Sequence, residues 1–309
     1  MVRIISDTST MYSTKQAEEA GFSVSPLAVT IAGETYRELD EMTHERYVQI
    51  ISEGHMPKSS QPAIGEVAEL YQKYDGEEMI NIAMADGLSG TYASAVSAMD
   101  MSDHPQSITV INSETLCGPH RRMVETAAKL AKEGRSRAQI VSAVEKMMEN
   151  HTSFLIPSDF DYLRRGGRLS PLVSFVGKTI RLVPVLTQSE DGRQLTMAGV
   201  KRSYRQAYDH VIKAFAQMGV GEGWSIYVTH AAAPKLAGEA KAATRARGHW
   251  RAGSRLSPGV EMASGLSRRS ALARRRRMRA TSPQKKAAER IRTAMSSTTK
   301  SPTLPVLWQ

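Results

Sequence analysis

Short apolar runs alternate with helix-length amphipathic stretches along the first half of the chain. Val2–Ile5, the region Phe22–Ile31, EEMINIAMAD and SITVIN each read as strands. Between them lie TKQAEEA closed by Gly21, THERYVQIISEG with Thr43 as N-cap and Gly54 as stop, KSSQPAIGEVAELYQKYDG, GLSGTYASAVSAMDM as a glycine-containing loop running into a small-residue helix, and the pair RRMVETAAKLAKEG and SRAQIVSAVEKMMEN. In AIGEVAELYQK the stripe of Ile64, Val67, Ala68, Leu70 and Tyr71 follows a helical period, with Ser59 or Ser60 available as a cap and Pro62 in the first turn. GETYRELD reads as a hairpin return. Strands alternating with helices predict an α/β layer with a largely parallel sheet flanked by helices.

After Asn150 the pattern shifts. HTSFLIPSD is a strand, FDYLRRGGRLS a turn-rich basic element, and SEDGRQLTMAGV a hairpin through Asp191-Gly192. SYRQAYDHVIKAFAQMG and PKLAGEAKAATRAR read as helices around the strand WSIYVTH. The expectation is two domains, 1–152 and a smaller mixed α/β domain over 153–249, followed by a tail over 250–309.

Charge sharpens that division. The net charge of +10 over 309 residues divides into −4 for residues 1–244 and +14 for residues 245–309. The tail has no Phe or Tyr, and its only Ile and Val are Val260, Ile291 and Val306. Such a composition buries too little apolar surface to offset ordering entropy, so most of the tail is expected to be disordered or weakly helical, with Ser282–Met295 its best helix candidate. A single cysteine, Cys117, allows no internal disulfide and suits a reducing cytoplasm. No window approaches a membrane span and no signal peptide is expected.

Three loops share one design, a Ser/Thr-rich segment between strand and helix: Ser6–Thr10, Ser59–Pro62 and Gly87–Thr91. Helix starts expose unpaired N–H groups and positive dipole density, so hydroxyls and glycines there favour an anion, a carboxylate or a phosphate. The plainer account is ordinary capping. Neither GxxxxGK[ST] nor GxGxxG occurs, the eight histidines form no HxxxH pair, and GLSG misses the GxSxG spacing. No cofactor, metal or catalytic residue is therefore expected. Cys117 reads as a small buried apolar residue rather than a nucleophile. Leu163–Arg168, with two glycines among three arginines, is either an anion or partner contact or a solvated turn.

SDTSTMY, PKSSQPA at 57–63, LSGTYASA at 88–95, YLRRGGRLS at 162–170, the DG turn at 191–192 and THA at 229–231 occur in an order that resembles the DegV family of bacterial fatty-acid-binding proteins, over roughly residues 1–244. The resemblance implies two α/β domains with an acyl chain in the cleft between them. It implies a protein that is not itself an enzyme but presents a long-chain fatty acid to a separate fatty acid kinase, which makes acyl phosphate for phospholipid synthesis. It places hydroxyl contacts to the carboxylate at Ser59 and Ser89, and pocket or partner contacts at Ser60, Arg168 and Arg202. The family's C-terminal His-Thr-Gly-Pro-Gly element has no match in this chain. The abrupt basic tail has the texture of GC-rich DNA translated in a shifted frame. Two other functions stay open: weak, salt-sensitive nucleic-acid binding through the tail, and a small-molecule hydrolase using the serine loops.

Overall fold

The computed structural model describes residues 1–157, 159–170, 182–221, 224–231, 233–247 and 265–268. They fall into two compact units, one of Met1–His151 together with Glu190–Arg193, the other of the remaining described residues from Thr152 on.

In the first unit, strands β1 (Arg3–Asp7), β2 (Ser23–Ser25), β6 (Met79–Ala83) and β7 (Ile108–Asn112) form a parallel sheet in the order β2-β1-β6-β7. Alternation along each strand feeds two cores. Ile4, Ile80 and Ile82 pack with Met123, Val124 and Ala127 of α5 (Cys117–Lys132) and with Ile140 and Val144 of α6 (Arg137–Met148). Ile5 and Met79 turn the other way, onto Val67 and Tyr71 of α3 (Ile64–Lys73) and Ala98 of α4 (Thr91–Asp100). Helices on both faces explain why all five residues of β6 are buried. Helix α1 (Thr14–Ala20) starts with a capping box of Ser13 and Gln16 and stops at Gly21, whose φ of 87° suits glycine.

Phe22–Ile31 is not one strand. Pro26 interrupts it: β2 joins the parallel sheet, while β3 (Ala28–Ile31) pairs antiparallel with β4 (Glu34–Arg37) and β5 (Lys58–Ser60). Ala32 and Gly33, with φ of 54° and 88°, make the two-residue β3–β4 turn. Helix α2 (His44–Ser52) is capped by Thr43 as the sequence indicates. Ser59 and Ser60 do not cap α3. They lie in β5, and the N-cap of α3 is Ala63, which makes no side-chain cap bond.

The second unit holds β8 (His151–Leu155), α7 (Phe160–Arg165), β9 (Val183–Gln188), β10 (Leu195–Lys201), α8 (Tyr204–Gln217), β11 (Trp224–Ile226), α9 (Pro234–Arg247) and β12 (Gly265–Arg268), with sheet order β10-β9-β8-β12-β11. Phe154, Val185, Ala207, Phe215 and Val220 form its core, and Phe154 meets Phe215 edge-to-face at 5.5 Å. Strand β12 is the one described segment beyond Arg247. Trp224–Ile226 pair antiparallel with Leu266–Arg268, and a backbone ladder of this kind needs few apolar side chains. The rest of the tail, including the helix candidate Ser282–Met295, lies outside the described residues. Among the described residues no helix is long and apolar enough to cross a membrane.

Candidate functional site: a hydroxyl-rich edge of the parallel sheet

The C-terminal ends of β1, β2 and β6 point to one edge, the position at which open α/β sheets take ligands. Asp7 organises it. Its carboxylate, 1% exposed, accepts hydrogen bonds from Ser9 N and Met84 N, each at 2.9 Å, and so ties the loop after β1 to the loop after β6. Thr8 Oγ1 accepts from Leu27 N at 3.1 Å and donates to Glu38 Oε2 at 2.6 Å. Burial pushes the Glu38 carboxyl up to about 7. The Thr8 hydrogen bond opposes that shift and the charge of Asp7 adds to it.

The loop after β6 carries Ser89. Its Oγ lies 2.8 Å from Thr91 Oγ1 and accepts from Thr91 N at 3.3 Å, at the start of α4, where Gly90 is the N-cap. Ser89 is half-buried and Thr91 is buried. On β5, Ser59 is half-buried opposite Val29, and Ser60 is exposed opposite Ala28. The next residue, Gln61, joins the two segments. A Cβ on Gly90 would stand 2.9 Å from Gln61 Cδ, so the glutamine side chain lies against the Ser89-Gly90 turn and fits because residue 90 is glycine. One more hydroxyl sits at this edge: Ser25 at the end of β2, 5% exposed and paired in register with Asp7, has a buried Oγ with no hydrogen-bond partner.

A feature invisible in the sequence underlies this edge. His120, in the first turns of α5, is fully buried. Its Nε2 lies 2.9 Å from Ile82 O and 3.1 Å from Ser6 Oγ, and its Nδ1 lies 2.7 Å from Ser9 Oγ. Ser6 Oγ donates to the same Ile82 carbonyl at 2.7 Å. Cys117 begins α5 with a φ of 53°, and burial, then the charges of Glu38 and Asp7, push its thiol up, so it stays protonated as a buried small residue.

The predicted arginines belong to the second unit. Arg168 is exposed beyond Gly167, whose φ is 75°, and its Nη1 donates to Gly166 O at 2.5 Å. The basic loop is therefore partly helical, since α7 runs through Arg164 and Arg165 with both arginines in its last turn. Arg202 is exposed after β10, its backbone N–H donating to Gln206 Oε1 at 3.1 Å. These arginines do not form one cluster. Arg168 O accepts from Leu195 N at the start of β10, whereas Arg202 follows its end, a separation of roughly 20 Å at ~3.4 Å per strand residue. Among the described residues no group of His, Cys, Asp and Glu is placed to hold a metal ion.

These features define an α/β protein whose first unit gathers hydroxyls and helix N–H groups at one sheet edge, a set suited to a small anion. The sequence profile described as "Uncharacterised protein, DegV family" matches residues 1–259, and the chain belongs to that family. A DegV domain-containing protein of Staphylococcus aureus (strain N315) is 32% identical over 231 residues, covering 74% of this chain and 81% of the relative. One from Halalkalibacterium halodurans is 31% identical over 248 residues, covering 78% and 86%. The fold is also that of a fatty-acid-binding DegV family protein from Thermus thermophilus, at a TM-score of 0.75 and 23% identity over 86% of this chain and 99% of the other. DegV of Bacillus subtilis, called a fatty acid binding protein, gives a TM-score of 0.70 at 24% identity over 86% and 98%.

Proposed function

We propose that this protein binds a long-chain fatty acid by its carboxylate, with Ser59 and Ser89 as hydroxyl donors, and presents it to a separate ATP-dependent fatty acid kinase that forms an acyl phosphate. The observation that carries the proposal is the packing of Gln61 against Gly90, which sets the Ser59 segment beside the Ser89 turn at the start of α4. Ser59 is not consumed as a cap, and the helix N-terminus adds positive dipole density for a carboxylate. The fatty acids named for the Thermus thermophilus and Bacillus subtilis proteins support a ligand of the same class here. The kinase contact falls to the exposed Arg168 and Arg202, which attract an acidic partner surface at two separate points. Work in the cytoplasm, upstream of phospholipid synthesis, fits an acyl carrier of this kind.

The test is native mass spectrometry of the purified protein with and without organic extraction. A bound mass matching a C14–C18 acid in the wild type, lost in the Ser59→Ala/Ser89→Ala variant, is the expected result. A wild type that neither co-purifies with nor takes up fatty acid refutes the proposal.

A further inference from the structure

Ser9 and His120 make a pair that the Ser59 and Ser89 contacts leave unused. The ring contacts of His120 are Ser6 Oγ, Ser9 Oγ and Ile82 O, none of them charged. A carbonyl oxygen only accepts, so Nε2 carries a hydrogen. A fully buried imidazolium without a charged partner is costly, so the ring is neutral and Nδ1 is bare. Ser9 Oγ, 2.7 Å from Nδ1, therefore gives its single hydrogen to the ring. What it turns outward is lone pairs. Ser9 is the half-buried hydroxyl of its loop, between buried Thr8 and Thr10, and Asp7 fastens its backbone to the loop that leads to Ser89. A carboxylate arriving at this edge also offers only lone pairs, so Ser9 can donate to it only by giving up its bond to Nδ1, which leaves that nitrogen unpaired in a buried site, or once a proton has joined the ring.

Resting on the fatty-acid reading above, we propose that Ser9 is a third hydroxyl ligand of the carboxylate, and that its engagement draws one proton from solvent onto His120 Nδ1. The ring then donates from both nitrogens, Nε2–H to Ile82 O and Nδ1–H to Ser9 Oγ, and the Ser9 hydrogen swings to the carboxylate. No covalent bond to carbon changes. Imidazole is a stronger base than a carboxylate, so the proton resides on the ring, and the buried anion gains a cation one hydroxyl away. The other titratable groups packed here are committed elsewhere. Asp7 of β1 holds Ser9 N and Met84 N, and Glu38 beyond β4 takes Thr8. Cys117 is a protonated thiol, and Arg121 of α5 stacks on Tyr12 at 4.0 Å and pairs with Glu125 at 3.0 Å.

The experiment is calorimetric titration with decanoate, ionised throughout, at pH 7 and 8 in buffers of different ionisation enthalpy. Wild type takes up close to one proton per ligand. His120→Gln keeps an N–H for Ile82 and an acceptor for Ser9 but cannot be protonated. It takes up none and binds at least about tenfold more weakly at pH 7, the effect of one hydrogen bond to a charged group. Glu38→Gln retains the uptake. Equal uptake in wild type and His120→Gln overturns the inference while leaving fatty-acid binding intact, whereas a wild type that binds no decanoate overturns both. A ligand-free readout is the ¹⁵N spectrum of the imidazole at pH 7.5: the Nε2-protonated neutral form is expected, and an Nδ1-protonated ring refutes the scheme regardless of binding.

Discussion

Replacing Glu38 with glutamine isolates the electrostatic cost of the sheet edge. Glutamine keeps an acceptor for Thr8 Oγ1, 2.6 Å away, and nearly the same shape, but never ionises. The Glu38 carboxyl, ordinarily near 4.5, is pushed up to about 7, by burial first and by Asp7 second. A carboxyl with a raised folded-state pKa binds more protons folded than unfolded across that window. Stability is therefore fully present below about 4.5 and is lost as pH rises to about 7. At ~1.36 kcal/mol per pKa unit the loss approaches roughly 3 kcal/mol. Glu38→Gln escapes it, so the variant should equal wild type at pH 4.5 and exceed it by up to about 3 kcal/mol at pH 8. Trp224, Trp250 and Trp308 all lie beyond the first unit's main segment, so fluorescence would report on the wrong part of the chain. Hydrogen exchange of β1 and β6 peptides, corrected for intrinsic rates, reads the right one. Opening at pH 8 should slow by as much as about 100-fold in the variant, with no difference at pH 4.5. The same ratio at both values, or a less stable variant at pH 8, would mean that the carboxylate is well satisfied in the fold and the electrostatic account is wrong.

The remaining expectations concern ligand, partner and scaffold. Ser59→Ala/Ser89→Ala should weaken fatty-acid affinity by about 10²-fold or more, since each hydrogen bond to a charged group contributes ~1.5–3 kcal/mol, while the melting temperature stays nearly unchanged; unchanged lipid occupancy would remove both serines from the site. Arg168→Ala and Arg202→Ala should leave lipid bound but slow acyl phosphate formation by an added fatty acid kinase. Because β10 separates them, their effects should add in free energy, and wild-type rates in both would end the docking role. Asp7→Ala strands two buried N–H donors and should cost roughly 3–5 kcal/mol in urea unfolding; a loss under 1 kcal/mol would mean that Ser9 N and Met84 N find other partners.

Much of this architecture is written in local signals. Thr43 marks a helix start in the sequence and is used as a cap, and Ser13, Ser136 and Ser203 cap three further helices in the same way. The near-continuous apolar runs of β1 and β6 announce a sheet covered on both faces. What local signals miss is long-range partnership. Ser59 and Ser60 look like caps because they precede a helix, yet antiparallel pairing with β3 claims them, a decision made by residues 30 positions upstream. His120 sits in CGPHRRMV, a stretch with no ligand spacing, and its role depends on Ser9 and Ile82 in two other elements. The spacing of Arg168 and Arg202 in space is likewise set by pairing, since Arg168 is bonded at the start of β10 and Arg202 follows its end.

The Ser9–His120 hydrogen bond spans 111 positions in the chain, and β1 pairs only with strands made after it. A ribosome adding ~5–20 residues per second needs roughly 5 to 20 seconds between these two side chains. During that interval the nascent chain carries Ser6, Ser9 and Asp7 without the imidazole and without the amide of Met84 for its early part. Parallel pairing of β1 with β6 must close a loop of some 75 residues before it returns any contact energy, which makes it a late event in folding. The hydroxyl-rich edge is thus assembled late from its earliest-made residues, and a nascent chain stalled before α5 emerges holds that edge without its imidazole.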